Sequence, residues 1–226
     1  GDTDVIVPVS AVASGDPPIS VQVHGIAYFE GTSDAEAIAI PPRIDQLIPD
    51  ANGGWAAMTA ADVNFDRIPD VVGARAGRNE IWTLLGTERG SFAYEEQISS
   101  IDYLATDIAL ADVNGDGRLD LWACESQLVP DREASVYLYL GTPDGGFQST
   151  PSETLPLPYV RIAPAPPISA THCGALATGD FDGDGLPDLA VGVGERGIDK
   201  LVMMTPTAEW EFTVRIYLNE SDRGTN

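Results

Sequence analysis

Three stretches of the chain crowd acidic side chains at alternate positions: Asp62-Val-Asn-Phe-Asp-Arg-Ile-Pro-Asp70, Asp112-Val-Asn-Gly-Asp-Gly-Arg-Leu-Asp120 and Asp180-Phe-Asp-Gly-Asp-Gly-Leu-Pro-Asp188. All read D-x-[DN]-x-D-x-x-x-D. Carboxylates a few ångströms apart repel unless something positive sits among them. Positions 1, 3 and 5 can turn their oxygens toward one point while the backbone curls around it. Position 7 then offers its carbonyl, and position 9 closes the shell. Such a donor set suits calcium, which takes about six to eight oxygens at roughly 2.3 to 2.6 Å in flexible geometry, better than it suits magnesium. Without sulfur or imidazole there is no case for zinc. The expected ligands are Asp62, Asn64, Asp66, the Ile68 carbonyl and Asp70 in loop one, then Asp112, Asn114, Asp116, the Arg118 carbonyl and Asp120 in loop two. Loop three would use Asp180, Asp182, Asp184, the Leu186 carbonyl and Asp188. An EF-hand starts in the same way but needs Glu at position 12 between helices. Position 12 here is Gly73, Ala123 or Val191, inside an apolar run. The metal-free alternative is an Asx-rich turn whose side chains cap their own backbone.

The flanks of the loops repeat too, which indicates the elements that must position them. Before each loop stand small and apolar residues, Ala56 to Ala60, Ile108 to Ala111 and Gly174 to Thr178, as in a strand crowded by neighbours. After each comes a run apolar on both faces, Val71-Val72, Leu121-Trp122-Ala123 and Leu189-Ala190-Val191, which suits a strand held between two layers. Further on lies a strand of aromatic and branched residues that usually ends in Gly-Thr: Ile81 to Thr87, Val136 to Thr142 and Val214 to Asn219. Two of these lead into Gly-x-Phe turns, Gly90-Ser-Phe92 and Gly145-Gly-Phe147. The first residues fit the same frame, with Asp4 in the place of Asp70, Asp120 and Asp188, and with Ile26 to Thr32 as the later strand. Equivalent aspartates are 66 (4 to 70), 50 (70 to 120) and 68 (120 to 188) residues apart. The expected fold is therefore all-β: about four β-propeller blades in one segment, 1–226, with approximate repeats 1–50, 51–101, 102–168 and 169–226. Four blades is few for a closed ring. The expectation is a piece of a larger propeller, completed by residues outside this chain or by a second chain, with a fourth calcium site if the loop ending at Asp4 is completed.

The pattern D-x-[DN]-G-D-G-x-x-D followed by Leu-x-Val, with its Gly-Thr and Gly-x-Phe turns, resembles the FG-GAP or VCBS repeat of integrin α-subunit propellers and many bacterial surface proteins. That resemblance implies a six- to eight-bladed propeller in which calcium pins the turn between the first and second strands of a blade, through the ligands named above. Loop one departs from it, with Phe65 and Arg67 where loop two has Gly115 and Gly117. If position 6 requires a positive φ, Arg67 costs roughly 1 kcal/mol relative to glycine and loop one is the weakest site.

The remaining features narrow the function. A net charge of −23 repels nucleic acid and anionic membranes, so neither is an expected partner. No run of 18 apolar residues exists, and the first residues lack the basic and apolar regions of an export signal. Cys124 and Cys173 fall in neighbouring repeats, away from the calcium loops, so a disulfide and two thiols both remain open. His172 beside Cys173 has no third member to make a nucleophilic site, and His24 reads as core or lining. Trp82, Tyr137, Tyr139 and Tyr217 read as blade packing more than as a sugar-stacking platform, and the proline-rich run Leu155 to Pro167 as an inter-blade connection. With no catalytic constellation, the expected role is an extracellular or cell-surface binding, adhesion or scaffolding module with a protein or glycan ligand on a propeller face. A lectin-like propeller, or the propeller of a polysaccharide-active enzyme with a pocket at Arg161, His172 or Lys200, is the alternative.

Overall fold

A computed structural model describes the backbone of residues 5–14, 20–29, 43–48, 54–88, 92–98, 104–126, 134–157, 170–202 and 205–219, with side chains described for 54–88, 92, 104–125, 134–157, 173–194 and 213–219. Every regular element among them is a strand, and all pairings are antiparallel. β1 (Val5–Ser14), β2 (Ser20–Phe29) and β3 (Arg43–Ile48) form one meander. β4 (Trp55–Ala61), β5 (Asp70–Arg75), β6 (Ile81–Gly86) and β7 (Phe92–Ile98) form the next. β8 (Leu104–Ala111), β9 (Asp120–Ser126), β10 (Ser135–Tyr139) and β11 (Glu153–Pro156) form the third, and β12 (Ala170–Gly179), β13 (Asp188–Val202) and β14 (Thr205–Tyr217) the last. The third and last meanders count as one sheet only because His172 pairs with Ser126.

Each acidic loop is the connection of a hairpin. Ala61 pairs with Asp70, Ala111 with Asp120 and Gly179 with Asp188, so positions 1 to 8 bulge out between the first and second strands of their meanders. The second strands are buried on both sides because the meanders stack face to face. In β9, Leu121 and Ala123 pack with Val72, Ala74 and Ile81 of the preceding sheet, while Trp122 and Cys124 pack with Leu189, Val191 and Val193 of the following one. Alternation with period two thus feeds two cores from one strand. β8 lies between β4 and β12, so the first strands of successive meanders pack side by side, as the inner strands of propeller blades do.

Those inner strands carry register shifts at the same phase, between Trp55 and Ala57, Ala105 and Asp107, and Cys173 and Ala175. In the third meander the extra residue is Thr106, whose Oγ1 donates to the Cys173 carbonyl at 2.9 Å, and Asp107 Oδ2 accepts the Leu176 N–H at 2.7 Å. A bulge that frees a strand from its ladder here aims two side chains at the next blade. Beside them Cys124 and Cys173 form a disulfide, with Cα atoms 5.8 Å apart. The pairing that the sequence left open is a covalent tie between blades.

Candidate metal centre

The three loops repeat one hydrogen-bond scheme. The carboxylate at position 1 accepts the N–H groups of positions 5 and 6: Asp66 and Arg67 to Asp62 at 3.1 and 2.9 Å, Asp116 and Gly117 to Asp112 at 3.0 and 2.8 Å, and Asp184 and Gly185 to Asp180 at 3.1 and 3.0 Å. Position 3 accepts the N–H of position 5 through Asn64, Asn114 or Asp182, and position 5 accepts that of position 7 at 2.7 to 2.9 Å. These bonds curl the backbone of the loop about the position-1 carboxylate. The curl requires left-handed backbone at positions 4 and 6: φ is 71° and 84° at Gly115 and Gly117, and 82° and 91° at Gly183 and Gly185. Loop one adopts the same angles with Phe65 at 63° and Arg67 at 72°. The condition set on the sequence is met, and at position 4 as well as at position 6.

Position 9 has a role that the motif alone did not reveal. Asp70, Asp120 and Asp188 are almost wholly buried. One oxygen of each accepts the N–H of position 2, from Val63, Val113 or Phe181 at 2.7 to 3.0 Å. The other accepts an N–H from the end of the blade's third strand, from Gly86, Gly141 or Asn219, at 2.8 Å in each case. This aspartate clamps the loop to a strand 16, 21 or 31 residues further on. The Gly of Gly-Thr follows from that approach. A Cβ on Gly86 would lie 2.3 Å from the Pro69 carbonyl oxygen, and one on Gly141 2.4 Å from that of Leu119. Thr142 Oγ1 then accepts the Gly146 N–H, closing the Gly-x-Phe turn, whose Phe147 joins the core that also holds Val63 of the preceding blade. The Gly-Thr repeat was the signal for this clamp, visible as a pattern but without a partner in the sequence.

Burial raises the Asp70 and Asp120 carboxyls above the usual carboxylate value despite their N–H donors, so their charged forms are held at a cost. Asp188 is shifted the other way, chiefly by the Asn219 N–H. The loops also differ in internal compensation. In loops one and two the Asn at position 3 donates Nδ2 to Asp66 or Asp116, and in loop two the Arg118 guanidinium pairs with Asp116 through Nη2 while Nε donates to the Gly141 carbonyl at 3.2 Å. Loop three has four aspartates and no amide or cationic side chain. There Asp180, Asp182 and Asp188 each bring an oxygen within 4.8 Å of the others, a group that could hold a metal ion. Its hard, oxygen-only donor set fits calcium.

Other expectations distribute differently. Tyr139 is 1% exposed and the Tyr137 hydroxyl donates to buried Glu125, so these two aromatics pack within the blade. Leu157, in the proline-rich run, is core. Asp4, residues 158–167, and the side chains of His24, His172 and Lys200 lie outside the described residues.

Meandering blades braced by a repeated acidic loop define a class of all-β repeat protein. Residues 62–123 match the FG-GAP-like repeat family, and residues 174–199 match the FG-GAP repeat family. Both matches support an FG-GAP repeat family for these segments, and the stacked blades are consistent with an integrin-like propeller. No curated protein matches the chain.

Proposed function

We propose that the chain is a calcium-stabilised extracellular propeller module that serves adhesion, binding or scaffolding and carries no catalytic site of its own. The observation that supports this most is the position-9 clamp: a buried aspartate common to all three described loops joins the acidic turn to the end of its blade's third strand. Loaded with calcium, Asp62, Asn64, Asp66, Ile68 and Asp70, with their counterparts in the other loops, hold the turn. The cation offsets the repulsion among these carboxylates and the desolvation of the aspartate at position 9. Because metal binds the folded loops and not the unfolded chain, it stabilises the blades by mass action.

The disulfide supports an oxidising compartment, where millimolar calcium fills loops too weak for the cytosol. Among the described residues no helix is long and apolar enough to cross a membrane. The partner is a protein or a glycan on a propeller face. Protein is favoured, because Tyr137 and Tyr139 are committed to blade packing. The net charge disfavours nucleic acid. Differential scanning calorimetry tests the calcium role: EDTA should lower the melting temperature and added calcium restore it, and an unchanged melt after chelation would defeat it.

A further inference from the structure

Resting on that calcium reading, we infer that the three loops do not load equally: loop three fills first, and Arg118 gives loop two a built-in counter-cation that weakens its hold on calcium. Calcium affinity follows the charge and rigidity of the ligand set. Loop three offers four carboxylates in Asp180, Asp182, Asp184 and Asp188, and three of them already converge. Loop two offers three, Asp112, Asp116 and Asp120, because position 3 is Asn114. One of those three is further engaged, since Asp116 accepts from both Asn114 Nδ2 and the Arg118 guanidinium. A cation entering loop two must displace or repel that guanidinium, which is anchored through its Nε on the Gly141 carbonyl at the end of the clamped strand.

Position 7 is Ile68 in loop one and Leu186 in loop three, so the scaffold accepts an uncharged side chain where Arg118 stands. The arginine is therefore dispensable for the turn and acts on its charge. Loop one has neither advantage: three carboxylates, and left-handed strain at Phe65 and Arg67.

The sister loops supply the substitutions for a test by isothermal titration calorimetry on the intact chain with calcium alone. Asp182→Asn gives loop three the residue of loops one and two, and Arg118→Leu gives loop two the residue of loop three. Circular dichroism confirms folding, and Asp184→Asn is the second variant for loop three. The wild type should show a tightest step that Asp182→Asn weakens about tenfold. Arg118→Leu should leave that step alone and tighten a later one by about threefold to tenfold. Equal steps that neither substitution moves, or a tightest step that survives both Asp182→Asn and Asp184→Asn, would overturn the ranking while leaving calcium binding intact. No calcium heat at millimolar concentration would instead overturn the calcium reading, and the ranking with it.

Discussion

Asp120 receives two N–H groups, from Val113 within its own loop and from Gly141 at the end of β10, and it is wholly buried while doing so. Removing such an acceptor leaves both donors without a partner, at about 1 to 3 kcal/mol each. The matching constraint falls on Gly141, where any side chain meets the Leu119 carbonyl. Gly141→Ala should therefore destabilise the chain by about 1 to 3 kcal/mol in urea unfolding followed by circular dichroism. A loss below the error of the measurement would mean that the strand end does not rest on the loop as described. The ligand positions were legible because alternate carboxylates over nine residues are a local pattern. The clamp was legible only by half: Gly-Thr marks the strand end, but its partner 21 residues away is met by a backbone N–H, which every residue except proline possesses. The strain at Phe65 and Arg67 lay between these cases: the departure from glycine was visible, and only the backbone showed that both positions need φ > 0.

Strands were legible where a run was apolar on both faces, since Leu121 to Ala123 could only lie between two layers. The register shifts in β4, β8 and β12 were not, because the extra residues Ala56, Thr106 and Gly174 share no chemistry. What they share is phase: each sits six residues before its loop's first aspartate. In β8 that phase places Thr106 and Asp107 against β12, next to the Cys124–Cys173 bond. The disulfide depended on this geometry, which two cysteines 49 residues apart do not announce. Replacing both with serine should cost about 2 to 4 kcal/mol in denaturant unfolding, the usual worth of a tie across a long segment. An unchanged midpoint would show that the seam is held by the bulge contacts alone.

Across the whole molecule, the faces of successive blades are unequally covered. Val136 and Leu138 of β10 are buried beneath the β12–β14 blade. Their equivalents in β14 are Val214 and Ile216, 72% and 56% exposed, and Leu218 just after the strand is exposed too. That face repeats the apolar pattern of a covered one. The contrast is measurable by thermal melts of two variants. Leu138→Asp, which buries an unpaired charge, should unfold the chain or cost at least about 3 kcal/mol, whereas Ile216→Asp should stay within about 0.5 kcal/mol. Equal losses would mean that the β14 face is already covered.

The account as a whole stands on calcium in the loops. Crystals grown with calcium would locate it directly, by anomalous difference density. The expected result is an ion in loop three at roughly 2.3 to 2.6 Å from the carboxylates of Asp180, Asp182, Asp184 and Asp188 and from the Leu186 carbonyl. A well-ordered loop three holding only water at saturating calcium would contradict it.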